Sequence, residues 1–202
     1  MKLYHLLTFD RSLKVRWLAN ELDVAFEQIT LDISKMAHLT PPFSDMNPYG
    51  LIPTIEKDNG QVLFEAAAIC LDMCRSKGKS LINEEDIEFM QWLFFFASSL
   101  DALSGAIVSL KVFGENQGVR TLAERRLPPR LAAMEKHLAG QSYWYKNQFS
   151  LLDIFAWQNL AFLYVDGQLH NYPNLAAYVE KMANRPALAQ LNPNGLLYGN
   201  NG

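Results

Sequence analysis

Asn47-Pro48-Tyr49-Gly50-Leu51-Ile52-Pro53 runs into Thr54-Ile55-Glu56, Lys57-Asp58-Asn59-Gly60, Gln61-Val62-Leu63-Phe64 and Glu65-Ala66-Ala67-Ala68-Ile69, and this stretch decides the fold. Thr54 to Glu56 and Gln61 to Phe64 are two short strands around Asn59-Gly60, a pair that supplies the positive φ angles of a tight hairpin turn. Pro53 opens the first strand, a place where a missing N–H is tolerated. An X-Pro bond costs only about 0.5 to 1 kcal/mol to hold cis, so a cis Ile52–Pro53 bond is expected, with the backbone groups of Ile52 left open. Such an edge accepts an extended peptide by strand-like hydrogen bonding. Asn-Pro-x-Gly alone is a common turn string, and its specificity here comes from the proline-strand-turn-strand-Glu-helix unit that follows it.

Glu65 gives that edge polarity. It stands where the second strand ends and an Ala-rich helix begins at Ala66. Its carboxylate can meet a ligand ammonium while the free amides of the helix start face a ligand carboxylate. An amine and a carboxylate on one carbon suit that arrangement. The same residue also fits a purely structural role, as a helix-start acid that stabilises the macrodipole.

Upstream, Lys2 to Leu7 has β character, Ser12 precedes the helical pattern Val15, Leu18, Ala19, Leu22, and Phe26 to Leu31 alternates as a second strand. Strand, helix, strand at this length implies a parallel βαβ unit, and the hairpin and Ala-rich helix complete the order of a thioredoxin-like domain. Residues 1–76 are therefore expected to form an α/β thioredoxin-like domain and 77–83 a linker, Arg75 to Ser80 being polar and basic. An all-helical domain is expected over 84–202. Within it, Glu84 to Val112 carries Trp92-Leu93-Phe94-Phe95-Phe96, apolar all round the helix and in need of cover on every side. Pro128-Pro129 should kink the helix over Val119 to Leu138 or start a new one. Ser150 and Asp153 form a capping box, with Phe149 and Ile154 spaced as a hydrophobic staple, before the apolar helix body Phe155 to Val165. Gly195 to Gly202 is expected to be a mobile tail.

The chain has 202 residues, half of them hydrophobic, and a net charge of -3. It lacks the basic excess that phosphate backbones call for, and its basic residues are scattered apart from Arg125-Arg126 with Arg130 nearby, so nucleic acid is not expected as a partner. The densest apolar run, Trp92 to Ala97, is far shorter than the roughly 20 residues of a membrane span. With no leader pattern at the N-terminus, a cytoplasmic location and no membrane association are expected. Cys70 and Cys74 share one helix face and are read as buried small hydrophobes. His5, His38, His137 and His170 have no ligand spacing, so no metal is expected.

The proline-hairpin-Glu unit resembles the glutathione-binding half of the glutathione S-transferase family, bacterial-type and cytosolic. The Ser150/Asp153 box, Tyr172-Pro173-Asn174-Leu175 and Arg185-Pro186-Ala187 resemble its C-terminal domain, so the resemblance covers nearly the whole chain. It implies that glutathione is the co-substrate, gripped by Ile52, Pro53, Glu65 and the amide of Ala66, with Lys35 or His38 reaching its glycyl carboxylate. It also implies a homodimer, with no nucleotide and no metal. Ala66 departs from the family's serine after the acid. The electrophile would be small and apolar, with Phe94, Phe95 and Phe96 as candidate contacts. Two other functions fit the same scaffold: a non-enzymatic protein that binds a protein partner, of the stringent-starvation type, and a glutathione-dependent reductase or isomerase.

Conjugation requires the glutathione thiolate, because a thiol with a pKa near 8.5 is a weak nucleophile. The loop before the first helix is the place to stabilise it, and Lys14-Val15-Arg16-Trp17-Leu18 aligns Phe9 with the family's usual catalytic serine and His5 with its usual tyrosine. The hydroxyls near enough to serve are Thr8 and Ser12, and Arg11 can pair with the sulfur or with a carboxylate. Ser12 also reads as a helix N-cap. The absence of cysteine from the loop argues against a mixed-disulfide mechanism.

Overall fold

The structure of the protein, a computed structural model, describes residues 1–192. The expectation for Gly195 to Gly202 lies outside them. The chain divides into two compact units, Met1–Ser80 and Leu81 onward.

The first unit is built on a four-stranded sheet of β1 (Lys2–His5), β2 (Glu27–Thr30), β3 (Thr54–Glu56) and β4 (Val62–Phe64) in the order β2-β1-β3-β4. β1 and β2 pair in parallel, as a crossover through α1 (Ser12–Glu21) demands, and β3 runs antiparallel to both β1 and β4. Along β1, Leu3 and His5 point inward while Lys2 and Tyr4 are half-buried, the alternation of a strand with one covered face. α1 packs on α3 (Ala66–Lys77), and Leu13, Val15, Trp17, Ile69, Cys70, Met73 and Cys74 are all buried. Both cysteines are free, and burial pushes the Cys70 thiol well above its ordinary pKa, so they serve as small hydrophobes.

The hairpin turn differs from expectation in one respect. Gly60 has φ +81° and donates to Lys57 O at 3.0 Å or less (2.9 Å), and Asn59 is not among the positive-φ residues. This is a three-residue loop that needs a single left-handed glycine, and Asn59 instead accepts from Gln61 N at 3.0 Å. The expected linker is also shorter: Arg75 and Lys77 form the last turn of α3, where cations complement the helix dipole. Gly78 follows because a Cβ there would come within 2.7 Å of Leu22.

The second unit contains α4 (Ile87–Phe94), α5 (Asp101–Phe113), α6 (Gln117–Leu138), α7 (Leu151–Val165), α8 (Pro173–Ala183) and the short α9 (Pro186–Ala189). α4 and α5 are joined without a break by a π-helical segment, Phe95–Leu100. The Phe96 carbonyl accepts from Asn159 Nδ2 at 2.7 Å, and Asn159 Oδ1 accepts from Ser104 Oγ at 3.0 Å, so the widened turn is satisfied by a buried polar pair. Ile87–Lys111 is long and apolar enough by composition to cross a membrane, with a mean hydropathy of 1.7, a longer stretch than the Trp92 to Ala97 run alone suggests. Its segments pack against α6 and α7.

α6 runs continuously through Pro128 and Pro129, and no new helix begins there. Both prolines are exposed, so the carbonyls they leave unbonded can be hydrated. The capping box at α7 is present: Asp153 Oδ2 accepts from Ser150 N at 2.8 Å, and Ser150 Oγ accepts from Leu152 N at 3.3 Å. Asp153 Oδ1 also takes Trp144 N and Tyr178 Oη, each at 2.9 Å. Of the three phenylalanines proposed to meet an electrophile, Phe96 is core, packed on Trp92 and Trp144, while Phe94 is 60% exposed.

Candidate functional site

Pairing register collects the candidate residues at one end of the sheet. Tyr4 pairs with Thr54 and Thr54 with Phe64, so one further step sets His5 beside Pro53 and Pro53 beside Glu65. The loop after β1, the loop before β3 and the junction between β4 and α3 therefore meet at the C-terminal edge of the parallel strand pair, where ligands bind in sheets of this kind.

The Asn47–Pro53 loop is held from beneath. Asn47 and Thr54 are buried; Asn47 Nδ2 donates to Thr54 Oγ1 at 2.8 Å and to Leu51 O at 3.2 Å, and Thr54 Oγ1 donates to Leu51 O at 2.7 Å. Asn47 Oδ1 accepts from Tyr49 N at 3.2 Å. These bonds present Ile52 and Pro53, and the Ile52–Pro53 peptide is cis, as is Pro41–Pro42, which the sequence reading did not single out. Gly50 has φ +63°, and a Cβ there would overlap Leu39 and come within 3.1 Å of His38 O. Only glycine lets the turn Ala37–Leu39 lie so close, which places His38 against the loop. Lys35 stays outside, 81% exposed and paired with Asp32 at 3.3 Å.

Glu65 is the strained residue of the site. Its φ of +70° and ψ of 113° lie outside the ordinary regions for a residue with a side chain, at a cost of order 1 to 3 kcal/mol. It is exposed, its carboxylate makes no cap bond to α3, and no ion pair or hydrogen bond engages it among the described residues. At the start of α3 its charge can favour the helix dipole, but it contributes no cap bond. Ala66 beside it is 7% exposed and opens α3, whose first turn has no acidic residue.

The loop 6–11 is clamped from two sides. Asp10 Oδ2 accepts from Leu6 N at 2.7 Å and Leu7 N at 2.8 Å, and Asp10 Oδ1 accepts from Ser12 N at 2.8 Å. Arg16, 7% exposed, donates through Nη2 to the carbonyls of Thr8 and Leu7. Neither residue was singled out by sequence reasoning, although an aspartate two residues before a helix is a recognisable capping signal. Asp10 corrects the reading of Ser12 as N-cap: Ser12 is the first residue of α1, Arg11 precedes it without a side-chain cap, and Asp10 supplies the carboxylate. Ser12 is fully buried and its hydroxyl has no partner, whereas Thr8 and Arg11 are exposed. Of the two hydroxyls, Thr8 is the one open to a ligand. His5 lies below the loop with Nε2 3.1 Å from Thr30 Oγ1, and burial, followed by Arg16, pushes its pKa below the usual histidine value.

The site thus offers a polar, strained carboxylate, an open proline edge, and a clamped loop with one exposed hydroxyl and one exposed guanidinium. That is enough to orient a small peptide bearing both an ammonium and a carboxylate. No cluster of metal-ligating side chains occurs among the described residues.

Comparison with known proteins gives this geometry a family. Residues 1–71 match the N-terminal domain of glutathione S-transferase, and residues 106–192 match its C-terminal domain. Elongation factor 1-gamma 3 of Oryza sativa subsp. japonica is 32% identical over 163 residues, covering 75% of this chain but 38% of that protein, so the chain spans well under half the length of that relative. Glutathione S-transferase PM239X14 of Arabidopsis thaliana is 28% identical over 169 residues, 77% of this chain and 78% of that one. A sphingomonad glutathione S-transferase, solved in complex with glutathione, superposes with a TM-score of 0.79 at 26% identity, over 95% of this chain and 96% of that one. An α/β thioredoxin-like domain followed by a helical domain, matched along both halves, means that the chain belongs to the glutathione S-transferase family.

Proposed function

We propose that the protein binds glutathione at the Ile52–Pro53 edge and conjugates its thiolate to small apolar electrophiles. The observation that carries the proposal is Glu65, a strained, exposed and unpartnered carboxylate set beside Pro53. Strain of this size persists when the surrounding structure imposes it, and it concentrates at ligand sites. In this reading Glu65 takes the γ-glutamyl ammonium, the amide of Ala66 takes the adjoining carboxylate, and the backbone of Ile52 pairs with the cysteinyl residue. His38 or Lys35 reaches the glycyl carboxylate in this reading; the His38 carbonyl lies against Gly50, and Lys35 is paired with Asp32 at 3.3 Å.

Activation of sulfur falls to Thr8 and Arg11. Asp10 already occupies the amides of Leu6, Leu7 and Ser12 and puts a negative charge at the start of α1, so the helix end contributes less than its dipole alone would. Thr8 Oγ1 donates a hydrogen bond to the thiolate, Arg11 supplies countercharge, and the thiol proton leaves to solvent. The sulfur then forms a bond to the electrophilic carbon, with expulsion of a leaving group or uptake of charge by the acceptor. Conjugation is expected to be slow, because one hydroxyl replaces a fuller set of donors. Retention on immobilised glutathione together with a standard conjugation assay tests this: binding with turnover is expected, and failure to bind at millimolar glutathione rejects it.

A second reading is favoured by a specific observation. The relative with the higher identity is elongation factor 1-gamma, and Phe9 and Ala66 stand where the family usually has hydroxyls. In this second reading the chain binds a protein partner and does not turn glutathione over. Homodimerisation is proposed on Ile87, Phe94 and Phe113, which are 80%, 60% and 85% exposed along the α4–α5 helix and need cover.

A further inference from the structure

Asp10 does more in the first loop than a helix cap requires. Three backbone N–H groups end on this one side chain: Leu6 N and Leu7 N on Oδ2 at 2.7 and 2.8 Å, and Ser12 N on Oδ1 at 2.8 Å. A cap takes an amide or two of its own helix, and here that bond is the one from Ser12. Leu6 and Leu7 follow the end of β1, so the carboxylate that draws them in also closes the loop around a negative charge. Amides converging at a helix start form a concavity for an anion, and the dipole of α1 favours negative charge there. In this chain the concavity already holds an anion of its own.

The other charged and titratable groups around the loop are Arg11 within it, Arg16 and Lys14 of α1, and His5 of β1. Arg16, 7% exposed, directs Nη2 to the carbonyls of Thr8 and Leu7. Lys14 is buried, and its charge acts on Cys70 of α3. Burial, followed by Arg16, pushes the His5 pKa below the usual histidine value, so His5 brings no positive charge at neutral pH. Thr8 and Arg11, the exposed groups assigned to the sulfur, lie two residues and one residue from Asp10 along the chain. A sulfur held by them therefore ionises beside a carboxylate that has already taken the nearest amides.

We propose that Asp10 sets the protonation state of the bound substrate: it occupies the amides that a glutathione thiolate would use and, as a like charge beside the sulfur, keeps glutathione in the thiol form at neutral pH. The inference rests on the glutathione reading given above. Two negative charges in one loop disfavour each other, and each unit by which the thiol pKa rises is a tenfold loss of thiolate. The proton stays on sulfur until the pH reaches that of an ordinary thiol, about 8.5, and then leaves to solvent. Asp10 touches no reacting atom. It is a positioning residue that acts through the amides of Leu6, Leu7 and Ser12, and it confines conjugation to the alkaline range while leaving glutathione binding in place across the neutral range.

The test is a titration of ultraviolet thiolate absorbance, from about pH 6 to about pH 10, on the full chain saturated with glutathione, with calorimetry to measure the binding itself. The parent is expected to reach half-ionisation at about pH 8.5 or above. Asp10→Asn and Asp10→Ser both remove the charge and leave an acceptor oxygen for the freed amides. Each is expected to give about tenfold more thiolate at neutral pH and to move the pH profile of kcat/KM down by about one unit, with glutathione affinity changed less than about threefold. A merely structural Asp10 would lower activity at every pH without moving the midpoint. A parent whose bound sulfur is ionised at neutral pH would overturn the inference whether or not either variant folds, and so would folded variants that bind glutathione with the midpoint unmoved; both results leave the glutathione reading standing. Absence of glutathione binding by the parent would remove the two together.

Discussion

Glu65 combines two properties that seldom meet in one residue: a backbone in a region suited to glycine and a charged side chain with nothing described to hold it there. Replacing it with glycine is expected to relieve the strain and raise stability by about 1 kcal/mol, while glutathione binding is lost. Chemical denaturation and calorimetry of Glu65→Gly measure both; a destabilised variant would mean that the carboxylate serves the fold. The two hydroxyls of the first loop separate in the same way. Ser12→Ala removes a buried hydroxyl without a partner and is expected to stabilise by about 1 kcal/mol with little effect on turnover. Thr8→Val, at the exposed position, is expected to lower kcat/KM about tenfold or more; the opposite ranking in a conjugation assay would return the role to Ser12. Residue type made Glu65 and Pro53 recognisable in the sequence. It did not separate Thr8 from Ser12, because burial in that loop is decided by Asp10 and Arg16, whose bonds run to backbone atoms that carry no sequence signal.

Elements were legible where a pattern is local and obscured where satisfaction is tertiary. The Ser150/Asp153 box was readable from spacing, but Asp153 also takes Trp144 N and Tyr178 Oη, 9 and 25 residues away. Asp153→Ala would strand these buried donors together, and a loss of about 3 kcal/mol or more is expected in urea denaturation, well beyond the roughly 1 kcal/mol of a simple cap. The π-helical segment was not readable, because Asn159 and Ser104, which satisfy the Phe96 carbonyl, lie on other elements. In the sheet, Tyr4 Oη donates to Glu56 at 2.9 Å, and burial together with that carboxylate raises the phenol pKa to about 12. The folded value exceeds the ordinary 10, so this contribution to stability is complete below pH 10 and is lost as pH rises toward 12. A Tyr4→Phe variant is expected to lack that loss relative to the parent between these limits, and parallel profiles would contradict it.

At the scale of the molecule, strand order and domain composition followed from strand-helix-strand and proline-hairpin-Glu, because right-handed crossovers and hairpins leave few ways to arrange four strands. How many chains assemble was less legible, since exposed apolar residues on α4 and α5 emerge only once the helices are packed. Light scattering at micromolar concentration is expected to give twice the chain mass, and a stable monomer would remove the dimer. The two α6 prolines carry a similar lesson: a breaker by residue type is tolerated when its freed carbonyls face water. The central claim is that glutathione is held through Glu65 beside Pro53, and calorimetric titration of the parent chain and Glu65→Gln with glutathione addresses it directly. Binding by the parent at millimolar glutathione or below, weakened by about 1.5 to 3 kcal/mol in a folded Glu65→Gln variant, is the predicted result. Equal affinity in the two proteins, or no binding by the parent, would contradict it.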